Sequence, residues 1–408
     1  MFLLGPVLGL ASGPILARCL GAEGRGQFAA IMAPITIAGA IASLGLPSAM
    51  VYFAARSGRL REVYVRICLL CVGPALLTYI VMALYAVVVS RNQEINYTAL
   101  VVAWSAIVVS AIVQLRRALW QAESAWKILD IERGLFAVLR FAAVVVAALL
   151  VSNSAIVVAG AALIAFVVSS SILFVRNPFP GRNSTAGEVP SSRKIFRYGA
   201  VAAVGTIMTI AGSRLDQLLM PATTSPRELG FYAVAVTVAE VPLVLGTLAA
   251  RNALTLASQG ESTRAVLTCV RVYLGACFLL TGALIASVPI VIPLLFGSNF
   301  QPSVVLAGIL LTGTLCTSLS LVLAAILQGR GRPGLGSLIP LVNVAVVLVG
   351  FILYWGNVTG YRASTISLIG AILSLVVALC LVIYVGRLES RVPSEHNVKQ
   401  AIVRSAAG

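Results

Sequence analysis

The sequence predicts an all-α polytopic membrane protein of about 12 transmembrane helices, arranged in two six-helix lobes around a central cavity. Two observations lead to this fold class. Of the 408 residues, 60% are apolar and only 10% are charged, against roughly 25% charged in a soluble globular domain. The apolar residues fall in blocks of about 20, which is the length that a helix needs to cross a hydrocarbon core of about 30 Å.

The blocks place each span in order along the chain. The predicted spans are 1–20, 27–53, 67–89, 98–115, 134–151, 155–175, 198–220, 230–254, 268–295, 303–327, 335–355 and 361–386. Between the sixth and seventh lies a stretch rich in Pro, Gly and Ser, which is typical of a linker. We therefore expect an N-terminal lobe over 1–175, a cytoplasmic linker over 176–197, a C-terminal lobe over 198–386 and a cytoplasmic tail over 387–408.

Basic residues indicate the orientation of the spans. With the N-terminus in the cytoplasm, 22 of the 29 Lys and Arg residues fall on the inner side and 6 on the outer side. Cytoplasmic loops of membrane proteins are enriched in Lys and Arg. The count therefore predicts that both termini are cytoplasmic, and it explains the net charge of +16 without a nucleic-acid partner.

An internal repeat supports the division into two lobes. The sequence GQFAAI begins at Gly26 and GFYAVA begins at Gly230, at an offset of 204 residues. A short polar connector precedes each of them, and a basic inner loop follows each span. Parallel repeats of this kind are common in secondary transporters, where the substrate site lies between the halves.

The composition excludes several chemistries. The only histidine, His396, lies in the tail, and the seven cysteines lie in or beside apolar segments. Cys68 and Cys71 have CxxC spacing, but they also lie one helical turn apart, and no second pair supports a zinc or redox site. The chain has no Walker A sequence for ATP. We expect no cofactor and no metal centre.

Polar residues recur at helical spacing within several spans. Span seven has Thr206, Thr209, Ser213 and Asp216. Span eight has Thr237, Glu240, Thr247 and Arg251, and span four ends with Ser110, Gln114, Arg117 and Gln121. Such stripes indicate either a hydrated cavity or contacts between helices.

Charged residues within spans mark transport pathways by default, although a structural salt bridge is the alternative interpretation. An arginine fork matches phosphate geometry and stays charged, so arginines suit an anionic cargo. A carboxylate in a dry site can bind a proton or Na⁺ and respond to a gradient. The candidate cargo-binding residues are Arg18, Arg140, Arg214, Arg251 and Asn343. The candidate ion-coupling residues are Glu240, near the middle of span eight, and Asp216.

Four segments resemble a known family. They are LARCLGAEGRGQFAAIMAPITIAGAIASLGLPSA (16–49), RLDQLLM with SPRELGFYAVAVTVAEVP (214–242), LLFGSNFQPS (294–303) and LAAILQGRGRP (323–333). In this order they resemble the polysaccharide transporters of the O-antigen flippase type. That family belongs to the multidrug/oligosaccharidyl-lipid/polysaccharide (MOP) exporter superfamily, which also holds lipid II flippases and multidrug extruders.

The resemblance implies a two-lobed bundle in a bacterial plasma membrane, with alternating access to a central cavity. Its cargo would be a polyprenyl-pyrophosphate-linked oligosaccharide, moved from the inner to the outer leaflet. Coupling would use the membrane potential or a gradient of H⁺ or Na⁺. Other expected partners are membrane lipids, a polysaccharide polymerase and glycosyltransferases.

Three other functions fit the sequence less well. A multidrug cation antiporter would share the fold, but it would favour acidic and aromatic cavity residues, whereas most candidates here are arginines. A membrane glycan polymerase or ligase would need a large outer loop, and the outer loops here are short. A scaffold without transport activity would not need charged residues in mid-membrane. We therefore expect a flippase and not an enzyme.

Overall fold

The computed structural model describes residues 4–57, 59–151, 154–175, 190–259 and 263–391. In these ranges the secondary structure is helical, and no strand is present. The helices are α1 (Leu4–Ser43), α2 (Leu46–Ser57), α3 (Leu60–Asn92), α4 (Tyr97–Trp104), α5 (Ala106–Ala122), α6 (Trp126–Val146), α7 (Ala155–Val175), α8 (Ser192–Leu219), α9 (Pro226–Ser258), α10 (Thr263–Phe296), α11 (Ser303–Gly329), α12 (Pro333–Leu353) and α13 (Gly360–Arg391).

Helix α1 contains the first predicted span and the larger part of the second, which breaks after Ser43 and continues in α2. Gly21 has φ 67° and ψ −173°, a left-handed conformation that glycine adopts without steric cost. Residues 13 and 25 would be about 18 Å apart on an unbroken helix. The Cβ position of Gly13 nevertheless lies 3.3 Å from Thr237, and Arg25 donates a hydrogen bond to the same threonine. Gly21 therefore reverses the chain, and this one residue replaces most of the predicted outer loop.

The described residues contain eleven helices, or joined pairs of helices, long and apolar enough to cross a membrane. Because the first of these, Leu4–Ser43, reverses at Gly21, it accounts for spans one and two together. The prediction of an all-α polytopic membrane protein is confirmed. Large apolar side chains such as Leu69, Leu77 and Leu84 on α3 are exposed, as expected for a surface that faces lipid.

Local capping explains where α8 and α9 begin. The side chain of Ser191 accepts a hydrogen bond from the Lys194 backbone amide, and Ser225 accepts one from Glu228 in the same way. These are N-cap interactions, and each satisfies a backbone donor that the first turn leaves unpaired. Because α8 begins at Ser192, the last six residues of the predicted 176–197 linker are helical. Residues 176–189 and 392–408 lie outside the described residues.

Glycine contacts hold α1 against α9 with a reciprocal geometry. A Cβ at Gly26 would overlap the carbonyl oxygen of Pro226, and a Cβ at Gly230 would overlap the carbonyl oxygen of Ala22. Each glycine thus meets the residue four positions before its counterpart in the sequence repeat. Small residues allow this close backbone approach between membrane helices. The contact joins the first half of the chain to the second.

Candidate transport cavity

A cavity of about 830 Å³ lies between helices of both halves of the chain. The segments of α1 on both sides of Gly21 line it, together with parts of α5, α6, α7, α8 and α9. It extends from the Gly21 turn, which we call the Gly21 end, to the C-terminal turns of α5, which we call the Arg117 end. From Arg25 to Gly39, the cavity-lining part of α1 covers about 21 Å at the rise of an α-helix.

The charged lining of the cavity is strongly basic. Among the described residues, the lining includes four arginines, Arg25, Arg117, Arg140 and Arg214, but only one carboxylate, Glu240. An arginine keeps its charge in proteins. An excess of positive charge between apolar walls of low dielectric attracts anions.

Arg25 lies nearest the Gly21 end and is almost fully buried, with 8% of its surface exposed. Its guanidinium donates a hydrogen bond of 3.1 Å to the Thr237 hydroxyl and lies 5.7 Å from the centre of the Phe28 ring. The Nε atom is buried and has no hydrogen-bond partner among the described residues. A buried donor without a partner costs free energy, so this side of Arg25 is suited to an additional acceptor.

Arg140, Arg214 and Glu240 form the middle of the cavity. Arg214 makes an ion pair of 3.0 Å with Glu240, and both side chains are 37% exposed. Arg140 has no carboxylate within ion-pair distance among the described residues. It lies 5.9 Å from the Phe136 ring centre and interacts electrostatically with Arg25, Arg214 and Glu240. We call Arg25, Arg140 and Arg214 the central arginine cluster; Glu240 offsets only one of its three charges.

At the Arg117 end, the wall of the cavity is polar. Gln114 donates a hydrogen bond of 3.1 Å to the Gly39 carbonyl oxygen, which joins α5 to α1. Ser110 and Thr36 line the same region. Arg117 makes a two-point ion pair with Glu132 of α6. These groups offer hydroxyl, amide and guanidinium contacts to a hydrated cargo.

At the Gly21 end, side chains of α3 and of its C-cap residue bind backbone carbonyls in the last turn of α8 and in the connector between α8 and α9. The Gln93 side-chain amide donates to Pro221 O at 2.9 Å and to Thr224 O at 2.8 Å, and Gln93 is fully buried. Asn92 donates to Ala222 O, and Tyr85 donates to Leu218 O. We call these three side chains the α3 clamp. The clamp and the reciprocal glycine contact close this end of the cavity.

A second, smaller pocket of about 80 Å³ lies within the second half of the chain, between α8, α9, α11, α12 and α13. Asp216 and Asn343 line this pocket and do not belong to the lining of the large cavity. The Asp216 carboxylate accepts hydrogen bonds from Tyr232 and Ser367. Asn343 donates to Gly212 O, and its Oδ1 is buried without a partner in the described part of the chain.

The other sequence-predicted residues lie elsewhere. Arg18 is exposed outside the large cavity, and its guanidinium donates to the carbonyl oxygens of Leu294 and Leu295 at the end of α10, the first at 2.5 Å and the second at 2.8 Å. Arg251 follows Thr247 by four residues on α9, but Thr247 lines the cavity and Arg251 does not. Of the five candidate cargo residues, the structure brings Arg140 and Arg214 together.

Two cavity arginines were not among the sequence-based candidates. Arg25 falls between the first and second predicted spans, in a predicted outer loop. Arg117 falls after residue 115, where the fourth predicted span ends, although its spacing from Ser110 and Gln114 continues the polar stripe of that span. The structure assigns both to the cavity, because the reversal at Gly21 is short and α5 extends to Ala122.

Comparisons with known proteins agree with this architecture. A family model described as "Polysaccharide biosynthesis protein" matches residues 2–255. The chain belongs to the polysaccharide biosynthesis protein family. The predicted membership of the polysaccharide-transporter branch of the MOP superfamily is confirmed by this match and by the fold of its structural neighbours. No curated protein matches the chain.

Two solved transporter structures have a fold similar to that of this family member. An inward-facing multidrug resistance MATE transporter of the MOP superfamily is similar with a TM-score of 0.74 and 14% identity, covering 96% of each chain. The lipid II flippase MurJ, in an inward closed conformation, has a TM-score of 0.70 and 12% identity, covering 93% of this chain and 85% of its own.

A third solved structure allows the inward-facing and outward-facing arrangements of the helices to be compared with this chain. An outward-facing MATE transporter of the same superfamily has a TM-score of only 0.57 and 12% identity, covering 96% of each chain. The helices of this family member are therefore arranged more like the inward-facing transporter. The protein is a multi-pass membrane protein with the fold of these MOP-superfamily transporters.

Proposed function

We propose that the protein is a flippase that moves a polyprenyl-pyrophosphate-linked oligosaccharide from the inner to the outer leaflet of a bacterial plasma membrane. The observation that carries this proposal is the charge of the cavity, whose described lining has four arginines and a single carboxylate. Guanidinium forks bind phosphate oxygens in pairs. The central arginine cluster would hold the pyrophosphate, and the polar wall at the Arg117 end would contact sugar hydroxyls.

The proposed direction of transport follows from the basic residues and the closed end. With both termini cytoplasmic, the Gly21 end faces outward and the Arg117 end faces the cytoplasm. Two lobes, 1–175 and 198–386, would rock about the contact between α1 and α9, so that the cavity opens to each side in turn. Glycosyltransferases would supply the cargo on the inner side, and a polymerase would consume it on the outer side. No covalent step is needed.

Ion coupling is proposed for the two carboxylates, with different roles. Glu240 makes an ion pair of 3.0 Å with Arg214, so its carboxylate already has a cationic partner. Asp216 has no basic partner within ion-pair distance among the described residues, and oxygen atoms of Ser367 and Asn343 lie in the same pocket. Asp216 is thus the better candidate for binding H⁺ or Na⁺, while Glu240 balances the cavity charge.

A multidrug cation antiporter has the same fold and is the nearest rival. A cationic drug would have to enter a cavity with three more arginines than carboxylates in its described lining. Like charges repel strongly where water is scarce. The geometry therefore favours the anionic lipid-linked cargo.

The test is a deletion strain of the source bacterium. We expect a polyprenyl-linked oligosaccharide to accumulate on the cytoplasmic face and a surface glycan to be lost, with both effects reversed by the intact gene. The sugar composition of the accumulated lipid would identify the cargo. Unchanged glycolipids and surface glycan, in a strain without a paralogue, would reject the flippase and favour the drug exporter.

A further inference from the structure

Arg117 binds Glu132 through two hydrogen bonds, whereas the arginines of the central arginine cluster make no such two-point ion pair among the described residues. Arg117 Nε lies 3.1 Å from Glu132 Oε2, and Arg117 Nη2 lies 2.6 Å from Oε1. The Glu132 side chain is completely buried, whereas 29% of the Arg117 side chain is exposed. The buried carboxylate therefore binds one edge of the guanidinium, and Arg117 itself lines the cavity.

The remaining donors of Arg117 point away from Glu132. A guanidinium has five N–H donors in a rigid plane, and Glu132 occupies the Nε edge with two of them. Three donors remain, and two of them form the Nη1–Nη2 edge. In the described part of the chain, no hydrogen bond from Nη1 to a protein acceptor is found, and this edge can accept a phosphate in the paired geometry that arginine favours.

The position of this edge separates it from the central arginine cluster. Glu132 and Arg140 lie on α6, eight residues apart, which is about 12 Å along the helix. Arg117, which is bound to Glu132, and Arg140 therefore lie at different depths of the cavity. Arg117 lies nearer the end at which, under the proposed function, the cargo enters.

We propose that Arg117 forms a second anion site, which takes the pyrophosphate of the cargo before the central arginine cluster does, and that Glu132 is the residue that positions it. The inference rests on the proposed function for the identity of the cargo. The anion site itself does not, because its geometry requires only a phosphate-bearing ligand. A purely structural role would need Glu132 to join α5 to α6 and nothing more.

The probe is farnesyl pyrophosphate, which has a polyprenyl tail and the pyrophosphate but no sugar. Binding is measured by calorimetry to the full chain in phosphatidylcholine nanodiscs, with farnesol as the control for the tail. We expect the wild type to bind two pyrophosphates. Arg117→Ala should remove one site and Arg140→Ala the other, because each removes a charge-assisted contact of about 1.5–3 kcal/mol, a loss of about tenfold or more in affinity.

The positioning role is tested with conservative variants. Arg117→Lys keeps the charge but loses the fork, and Glu132→Gln keeps the shape but loses the carboxylate. Both should weaken the Arg117 site about tenfold and leave the Arg140 site unchanged. Because Arg117→Ala leaves a buried carboxylate unpaired and can prevent folding, the double variant Arg117→Met with Glu132→Met provides a folded protein that lacks the site.

Several results would overturn the inference. Two sites of normal affinity in the double variant would do so, as would a Glu132→Gln variant with lower thermal stability but unchanged binding at both sites. A wild type that binds one pyrophosphate would also reject it. If two sites are found but the deletion strain accumulates no lipid-linked oligosaccharide, the proposed function fails while the second anion site stands.

Discussion

At the scale of single residues, the cavity combines permanent positive charge with one carboxylate that can be displaced. Arg214 is paired with Glu240 in a half-exposed position, where an ion pair contributes little net stability. Its partner can therefore be exchanged at low cost. An incoming pyrophosphate would compete with Glu240 for the Arg214 guanidinium. In this ion pair the pyrophosphate would take the place of the carboxylate.

Replacing Glu240 with Gln should reduce gradient-coupled transport while leaving the protein inserted in the membrane. Glutamine carries no negative charge, so it no longer offsets the Arg214 charge in the cavity. The measurement is the surface glycan level of a complemented deletion strain, normalised to membrane protein by immunoblot. Glu228→Gln, on the same helix but bonded to the Gly360 amide outside the cavity, is the control and should complement normally. Full activity of Glu240→Gln would remove Glu240 from the mechanism.

Arg140→Ala should weaken cargo transfer, because a charged hydrogen-bond donor to phosphate is lost. We expect the apparent affinity for the cargo to fall about tenfold or more. Arg140→Lys should retain part of the activity through its charge alone. The assay is the rate of lipid-linked oligosaccharide flipping in reconstituted vesicles. Arg133→Ala is the matched control, since Arg133 lies two turns earlier on α6, exposed and outside the cavity lining. A normal rate for Arg140→Ala would return Arg140 to a structural role.

The residues also show what the sequence could and could not predict. Span seven has two polar faces: Thr206, Thr209 and Ser213 share one with Asp216, while Arg214 and Gln217 lie on another. In the structure Arg214 and Gln217 line both the large cavity and the small pocket, whereas Asp216 lines only the small pocket. Helical spacing shows that two residues share a face, but only the contacts of neighbouring helices decide what that face meets.

At the scale of helices, the class and number of spans were predictable because hydrophobic length is a strong constraint in a membrane. The turn at Gly21 was not. A polar stretch such as GAEGR is typical of a loop, yet a single positive φ angle reverses the chain there. The close contact between α1 and α9 depends on that reversal and on two glycines.

Gly26→Ala and Gly230→Ala should each destabilise the protein by about 1–3 kcal/mol, because a methyl group would overlap a backbone carbonyl that has no room to move. Thermal unfolding in detergent, followed by fluorescence, is the measurement. Gly282→Ala is the control: this glycine lies within α10 with open space around its Cβ position, and alanine is the better helix former. Equal stability of all three variants would mean that the α1–α9 contact is looser than the structure shows.

At the scale of the whole molecule, the two ends of the cavity differ in what holds them. The Gly21 end is closed by the α3 clamp, whose donors go to backbone carbonyls in the last turn of α8 and in the connector between α8 and α9. The Arg117 end has polar groups that line open space. Under the proposed orientation, in which the Gly21 end faces outward, this asymmetry agrees with the greater similarity to the inward-facing neighbour.

Gln93→Leu should shift the protein towards a conformation open at the Gly21 end. Two buried hydrogen bonds are lost and two carbonyls are left without a donor, at a cost of about 1–3 kcal/mol for each group. The measurement is labelling of a cysteine introduced at Thr237, in a background without native cysteines, by a membrane-impermeant maleimide added outside. Ser90→Ala, which removes only a bond within α3, is the control. Unchanged labelling in Gln93→Leu would exclude the clamp as a gate.

The reciprocal glycine contact has a consequence for how the chain is assembled. In quaternary-structure terms it is isologous, since each half presents a glycine and, four residues earlier, the carbonyl that receives the partner's glycine. Such surfaces are the basis of two-fold homodimers. Each half, made separately, carries a patch complementary to itself as well as to its sister. Joining both halves in one polypeptide raises their effective concentration for each other, so that the unlike pair forms ahead of the two like pairs.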